Sequence, residues 1–439
     1  MSSEWPIVSV SSICTIFDGP HATPKKTNKG PVFLGISNLN SGRLNFSSTE
    51  FLSEDDFVKW TKRVTPQEGD VVFSYETRLG QAAIVPAGLR CCLGRRMALM
   101  RINPTLAIPE YVLYAFLAPE FQDVIRQRTI HGSTVDRIPL IEFGNFPIRI
   151  PPLRVQREIV GILKAVDDRI ALLRETNATL ESIAQAIFKS WFVDFDPVGG
   201  RQDGRVPDGM DGATAALFPD SFETSALGLV PRGWRSATIE QVVEGVYDGP
   251  HATPPEANTG PIFLGIRNLT GTGLELGEVR HIHEDQWSQW TRRIEPRHGD
   301  IVFSYEATLG FFALIPPATR CCLGRRLALV RPCATNGYGH FWFHQFIAAP
   351  FQRLLAKHTI QGATVNRLAL KYFPSYAVLN PPDDIKLAFE VLVKPIWAKI
   401  HDNQARCQSL VAIRDTLLPR LISGQLRLRE DGDILKKAA

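Results

Sequence analysis

The sequence has no C-x-x-C pair, and its seven cysteines (Cys14, Cys91, Cys92, Cys321, Cys322, Cys333 and Cys407) are odd in number, so neither a disulfide framework nor a zinc cluster is indicated. The adjacent pairs Cys91-Cys92 and Cys321-Cys322 read instead as small buried hydrophobes on strands. No apolar run reaches the roughly 18 to 20 residues needed to cross a bilayer. The N-terminus, Met-Ser-Ser-Glu-Trp-Pro, has neither a basic start nor an apolar core, so a cytoplasmic location is expected. A strong excess of either charge is also missing. With 49 basic against 45 acidic residues the net charge is +4, and any nucleic-acid surface must be a local patch. Absent too are the G-x-x-x-x-G-K-[ST] phosphate loop, H-E-x-x-H and G-x-S-x-G. What is present, 44% hydrophobic residues with 33 Gly and 31 Pro over 439 positions, describes a turn-rich globular chain of two or three domains and excludes disorder and fibres.

The chain is internally duplicated. The heptapeptide DGPHATP occurs at Asp18 to Pro24 and again at Asp248 to Pro254, an offset of 230. In that register residues 18 to 39 match 248 to 269 at 16 of 22 positions, and 69 to 101 match 299 to 331 at 21 of 33. Each copy strings together short β-branched and apolar runs (Val32 to Ile36, Val71 to Phe73, Ala82 to Val85, Met97 to Ile102) between Gly, Pro and Asn, which predicts mainly strands. A helix is predicted over Pro109 to Arg128, so the unit is α+β.

After each copy Gly and Pro become rare and the apolar spacing turns heptad-like, beyond Pro151-Pro152 and Pro381-Pro382. The first such helix carries Ile159, Leu163, Val166, Ile170, Leu173, Asn177, Leu180, Ala184, Ile187 and Trp191 on its seam. The second carries Ile385, Phe389, Leu392, Ile396, Ile400, Asn403, Cys407, Leu410, Ile413, Leu417 and Leu421, with a kink and a slip in spacing expected near Pro395. Asn177 and Asn403 at seam positions would fix register. The predicted order is a globule at 1–151, a helix at 152–192, a connecting loop at 193–232, a second globule at 233–381, a second helix at 382–428 and a tail at 429–439. Two such copies close on themselves most simply if the helices form an antiparallel coiled coil and a pseudo-two-fold axis relates the globules.

Candidate chemistry is sparse. Asn380-Pro381-Pro382-Asp383 resembles the N-P-P-aromatic loop of adenine methyltransferases, but Asp383 replaces the aromatic residue and no glycine-rich cofactor loop precedes it, so a helix start is the better reading. Pro-Asp pairs at Pro207 and Pro219 lack a later Glu-x-Lys, and a Cys91/His21 nucleophile is a remote alternative. What the copies share at loop-like positions is hydrogen-bonding residues: His21, Thr23, Asn38, Tyr75, Arg95, Arg96 and Arg137, matched by His251, Thr253, Asn268, Tyr305, Arg325, Arg326 and Arg367. Arginine pairs with guanine, asparagine with adenine, and cations with phosphate, so such a set suits duplex DNA. Copy one carries 16 basic and 14 acidic residues up to Pro152, which favours specific contacts over a broad basic footprint. For Arg95-Arg96 a second reading stays open, one inward salt-bridged and one solvated arginine on a strand. Lys25, Lys26 and Arg78 in copy one and Arg267 in copy two, each without an identical counterpart, complete the expected contact set.

Four elements closely resemble the specificity subunit of type I restriction-modification systems: the D-G-x-H-x-T-P start of both globules, the run Ala186 to Pro197, the Phe218-to-Phe222 and Pro231-Arg232-Gly233-Trp234 lead into copy two, and Arg414 to Leu421. The resemblance spans nearly the whole chain. It implies two target-recognition domains that each read half of a bipartite DNA site, held apart by paired helices that act as a ruler and dock methyltransferase subunits. It further implies a non-catalytic subunit that binds no cofactor itself. Two modification subunits would use S-adenosylmethionine to methylate adenine, and restriction subunits would use ATP and Mg to translocate and cleave. Because the two globules here are close copies, a largely palindromic interrupted target is expected. A solitary DNA-binding protein and a self-contained restriction enzyme are the alternatives.

Overall fold

The computed structural model describes residues 5–47, 49–132, 135–207, 209–333, 338–362, 364–427 and 436–437. The chain folds as two compact units, Met1–Ala171 with Ser409–Ala439, and Leu172–Gln408. Each holds one copy of the repeat together with part of both long helices.

In the first unit, strands Cys14–Asp18, Met97–Ile102, Val71–Ser74 and Ala82–Ile84 form, in that spatial order, an antiparallel sheet. A second sheet pairs Thr27–Leu34 antiparallel with Glu50–Phe51 and parallel with Cys91–Leu93. Alternation sorts the Val71–Ser74 side chains. Val71 and Phe73 join a core with Tyr111, Phe116, Phe143 and Phe146, whereas Val72 joins Leu34, Cys91, Leu93 and Leu99 on the other face. The second unit repeats both sheets with Val243–Asp248, Leu327–Pro332, Ile301–Ser304 and Phe312–Leu314, and with Arg280–His281, Ala257–Leu264 and Cys321–Leu323.

The single helix expected over Pro109 to Arg128 is two, Pro109–Leu117 and Pro119–Arg128, because Ala118 is extended at ψ 145°. The ring of Pro119 crowds the preceding residue out of helical conformation. The predicted loop at 193–232 also has structure of its own: helical turns at Asp196–Gln202 and Gly212–Ala216 and a hairpin of Phe222–Ser225 with Gly228–Pro231. Its composition signalled turns, but Phe218, Val230 and the following Trp234 are buried in the second unit's core and pin it down.

The long helices are Leu153–Lys189 and Asp383–Ser423, and a left-handed Gly424 at φ 83° stops the second. Asn403 Nδ2 donates to Asn177 Oδ1 at 2.8 Å, Asn177 Nδ2 donates to the carbonyl of Ile400 at 3.1 Å, and Arg414 Nη1 donates to Asp167 at 3.1 Å. Earlier residues of one helix thus meet later residues of the other, which is antiparallel pairing. The first seam is buried or half-buried throughout. The second departs from expectation: Leu392 and Ile413 are exposed, Ile396 is only half-buried, and Val393, Trp397 and Arg414 take their places. The slip lies beside Pro395, as the sequence predicts, although the helix runs through that proline unbroken. Its cause is packing. Phe389 and Trp397 lie against Phe341, Phe343 and His344 of the globule, so the buried face follows four-residue steps rather than a heptad.

Among the described residues no helix is long and apolar enough to cross a membrane. Apart from Lys436–Lys437, which pair with Leu426–Arg427, the predicted tail lies outside the described residues.

Candidate nucleic-acid interface

Arg95 and Arg96 lie in a tight turn, not on a strand. The N–H of Met97 donates to the carbonyl of Gly94 at 3.2 Å, and Arg96 has φ 73°. Positive φ at the third turn position usually calls for glycine, and an L-residue there costs roughly 1–2 kcal/mol. The second copy repeats the strain, with Leu327 bonded to Gly324 at 3.2 Å and Arg326 at φ 73°. A carboxylate anchors each strained arginine: Glu76 lies 2.9 Å from Arg96 Nε, and Glu306 lies 3.2 Å from Arg326 Nε. Arg96 Nη1 also donates to Thr77 Oγ1 at 3.0 Å. The turn thereby projects the neighbouring residue. Arg95 and Arg325 are exposed and pair with no carboxylate among the described residues.

The D-G-P-H loop lies beside this turn, since the N–H of Gly19 donates to the carbonyl of Met97 at 3.0 Å. His21 Nε2 sits 2.9 Å from Asp18, and Arg63 donates to the carbonyl of Gly19 at 3.2 Å. In copy two the corresponding distances are 2.8 Å for His251 to Asp248 and 3.1 Å for Arg293 to the carbonyl of Gly249. Tyr305 donates to Asp248 at 2.9 Å. Burial raises the phenol pKa of Tyr75 and of Tyr305, with Asp18 and Asp248 adding to it. Both tyrosines are buried, so they support the histidine loop from below and are not exposed contacts, which corrects the sequence expectation for Tyr75 and Tyr305.

Asn38 and Asn268 need the same correction. Each is 2% exposed, and each side chain is consumed by its own loop. Asn38 accepts from the N–H of Gly35 at 2.8 Å and donates to the carbonyl of Asn45 at 2.9 Å. Asn268 likewise accepts from Gly265 at 2.9 Å and donates to Glu275 at 3.0 Å. They shape turns that carry the neighbouring Ser37 and Arg267 outward.

His21, Thr23, Lys25, Arg78, Arg137, His251, Thr253, Arg267 and Arg367 are exposed, whereas exposed Lys26 is tied to Glu50 at 2.5 Å. Single backbone bridges join Glu76 to Arg137 and Glu306 to Arg367, which brings these arginines to the same turns. In the second unit Thr253, Arg325 and Arg326 line one open concavity of about 280 Å³ with Phe263, Ile266 and Arg280. Sequence reasoning passed over Asp18, Arg63 and Glu76 and their partners Asp248, Arg293 and Glu306, although identity at the offset of 230 marks all of them.

The cysteines behave as small hydrophobes. Cys91, Cys92, Cys321 and Cys322 are fully buried, and burial pushes each thiol up to about 12, which removes Cys91 as a nucleophile at neutral pH. No group of His, Cys, Asp or Glu able to hold a metal ion occurs among the described residues.

Two like globules, each with an exposed arginine on a strained turn, mark a duplicated protein. Residues 2–182 match the "Type I restriction modification DNA specificity domain". The type I restriction enzyme MjaIX specificity subunit of Methanocaldococcus jannaschii is 24% identical over 386 residues, covering 86% of this chain and 82% of the relative. The HindI specificity subunit of Haemophilus influenzae is 22% identical over 391 residues, covering 74% and 79%. The crystal structure of a type I restriction-modification S subunit from M. genitalium shares the fold at a TM-score of 0.54 and 14% identity, over 95% of this chain and 96% of that one. Residues 2–182 thus match a type I restriction-modification DNA specificity domain, and both of these relatives are specificity subunits of type I restriction enzymes.

Proposed function

We propose that this chain is the DNA-reading subunit of a type I restriction-modification complex and that each copy of the repeat reads one half of a bipartite, near-palindromic site. The observation that carries the reading is the doubled turn, Gly94 to Met97 and Gly324 to Leu327, which presents Arg95 and Arg325 from matching positions beside matching histidine loops. Like readers favour like half-sites, and the length of the paired helices sets the spacer. The chain itself does no chemistry on this reading. Two modification subunits supply S-adenosylmethionine-dependent adenine methylation, restriction subunits supply ATP-driven, Mg-dependent cleavage, and the assembly works in the cytoplasm.

Co-expression with the candidate modification subunit in a host lacking adenine methylation, followed by single-molecule sequencing, tests this directly. A two-part methylated motif with complementary halves is the expected outcome. Unlike halves would reject the symmetry alone, and a wild-type complex that methylates no defined motif would reject the function.

The two arginines of each turn should separate in their effects. Arg95→Ala or Arg325→Ala is expected to cost about 1–3 kcal/mol of site-specific binding and to relax one half-site, with an unchanged melting temperature. Arg96→Ala, which frees the buried side of Glu76, should lower both affinity and melting temperature. Parallel filter-binding and melting curves measure the difference, and equal losses on every DNA sequence would refute base reading by Arg95 and Arg325.

A further inference from the structure

One ion pair is reversed between the two copies. In the first, Lys26 follows the histidine loop and bonds Glu50 on the short strand Glu50–Phe51 at 2.5 Å. In the second, the loop position holds Glu256 and the strand position holds Arg280, 3.3 Å apart. The positions correspond in structure as well as in sequence. Glu50 lies opposite Phe33 and Arg280 opposite Phe263, at the same rung of equivalent ladders. Acid and base have therefore changed places on an otherwise repeated frame.

Stability does not explain why the pair takes one orientation here and the other there. All four side chains are between 42% and 58% exposed, and a solvated pair of this kind contributes little in either orientation. What the exchange alters is the sign of charge offered at the strand position. In copy two that charge is delivered into the concavity already lined by Thr253, Arg325 and Arg326. Arg326 is held by Glu306, and Arg280, 44% exposed beside its partner Glu256, adds a second solvated guanidinium to the concavity that Arg325 lines. Copy one sets a carboxylate at the corresponding rung, Glu50 opposite Phe33.

We propose that this exchanged pair is a specificity determinant that makes the two half-sites differ at one step. Resting on the reading of the chain as a DNA-specificity subunit, the assignment follows from the groove chemistry of the bases. A guanidinium donates to guanine O6 and N7, whereas a carboxylate accepts from the cytosine amino group. Arg280 reads a guanine at its step. Glu50 reads a cytosine at the corresponding step of the other half-site and repels an acceptor edge placed there. The target is palindromic elsewhere and breaks its symmetry at this base pair.

Exchanging the charges within one copy tests the idea while keeping the pair. The full-length variants Lys26→Glu/Glu50→Arg and Glu256→Lys/Arg280→Glu are each co-expressed with the modification subunit, and methylated motifs are mapped on genomic DNA. The first exchange is expected to switch one base pair of one half-site from C·G to G·C and to lower methylation of the original site on the order of tenfold or more. The second should make the reciprocal change in the other half-site. Glu50→Gln, which asks for no new pair, should relax the same position and covers the case in which an exchange variant fails to fold. An unaltered motif in folded variants overturns the proposal. So does uniform weakening at all sites with a shallower salt slope, which would assign the cation to phosphate. A two-part wild-type motif that the variants leave unchanged removes this inference alone, whereas no wild-type motif removes the functional reading beneath it.

Discussion

On acidification below about pH 6.5, the ordinary histidine value, the second unit is expected to lose stability before the first, and the cause is two buried histidines. His344 is 1% exposed, between Phe188 and Phe389, and its Nε2 accepts from Trp397 Nε1 at 3.1 Å. Its proton therefore sits on Nδ1, which has no hydrogen-bond partner. A second proton would charge a ring in an apolar core and set two N–H donors against each other. Burial, with His340 adding to it, lowers His344 from 6.5 to about 3, and burial with His298 and His340 lowers His401 to about 4. Glu390 is engaged by His340 at 2.7 Å and by the N–H of Phe341 at 2.8 Å. Both folded values lie below the unfolded value of 6.5, so the unfolded chain takes up protons first. The stability is complete above pH 6.5 and drains as pH falls toward 4 and then 3. The slope is roughly 1.4 kcal/mol per pH unit for each ring.

The first unit has Tyr114 and Ala171 at the matching positions and lacks this term. Six of the eight tryptophans (Trp191, Trp234, Trp287, Trp290, Trp342 and Trp397) belong to the second unit, so tryptophan fluorescence reports mainly on it. Urea unfolding followed by fluorescence between about pH 7.5 and 4.5 should show the midpoint falling. In His344→Gln, which keeps an acceptor for Trp397, the dependence should flatten by about one proton. Identical slopes in wild type and variant would reject the assignment.

The same comparison of copies shows what the amino-acid sequence discloses and what it withholds. The duplication, the strands and the first helical seam were legible because each rests on a local pattern, and Ile159 to Trp191 keeps heptad spacing where it is buried. The second seam misled at Leu392, Ile396 and Ile413 because a globule, not only a helix, covers that face, and because an ion pair with Asp167 draws Arg414 inward. Asn38 and Asn268 have the chemistry of base readers, yet their amides close turns, and residue type alone does not tell these uses apart. Tyr75 and Tyr305 are the same case. The turn arginines were legible as a pair, but which one is anchored depended on Glu76, a residue 20 positions away that only the fold brings near. The exchanged pair was half visible: Lys26 stood out as lacking an identical counterpart, while Glu50 and Arg280 gain meaning only once the ladders are aligned.

Fold also decides the worth of the ion pair between Asp300 and Arg331, and Arg331→Met is expected to destabilise the second unit by about 3–5 kcal/mol. Arg331 Nε and Nη2 donate to the two carboxylate oxygens of Asp300 at 2.9 and 2.6 Å, and Nη2 also reaches the carbonyl of Glu295 at 2.8 Å. The side chains are 9% and 3% exposed, so truncating the arginine strands a carboxylate away from water. The N–H of Arg297, at 2.8 Å, is too little to compensate a full charge. The homologous Arg101 makes the same two bonds to Asp70, at 2.9 and 2.7 Å, but is 33% exposed, so water can reach the charge left behind and Arg101→Met should cost less. The double variant Asp300→Asn/Arg331→Met keeps an acceptor for Arg297 and removes the stranded charge, and it should recover a large part of the loss. A double-mutant cycle in urea, read by tryptophan fluorescence, measures each step. If Arg331→Met and the double variant lose equal stability, packing of the arginine stem rather than the uncompensated charge holds this site together.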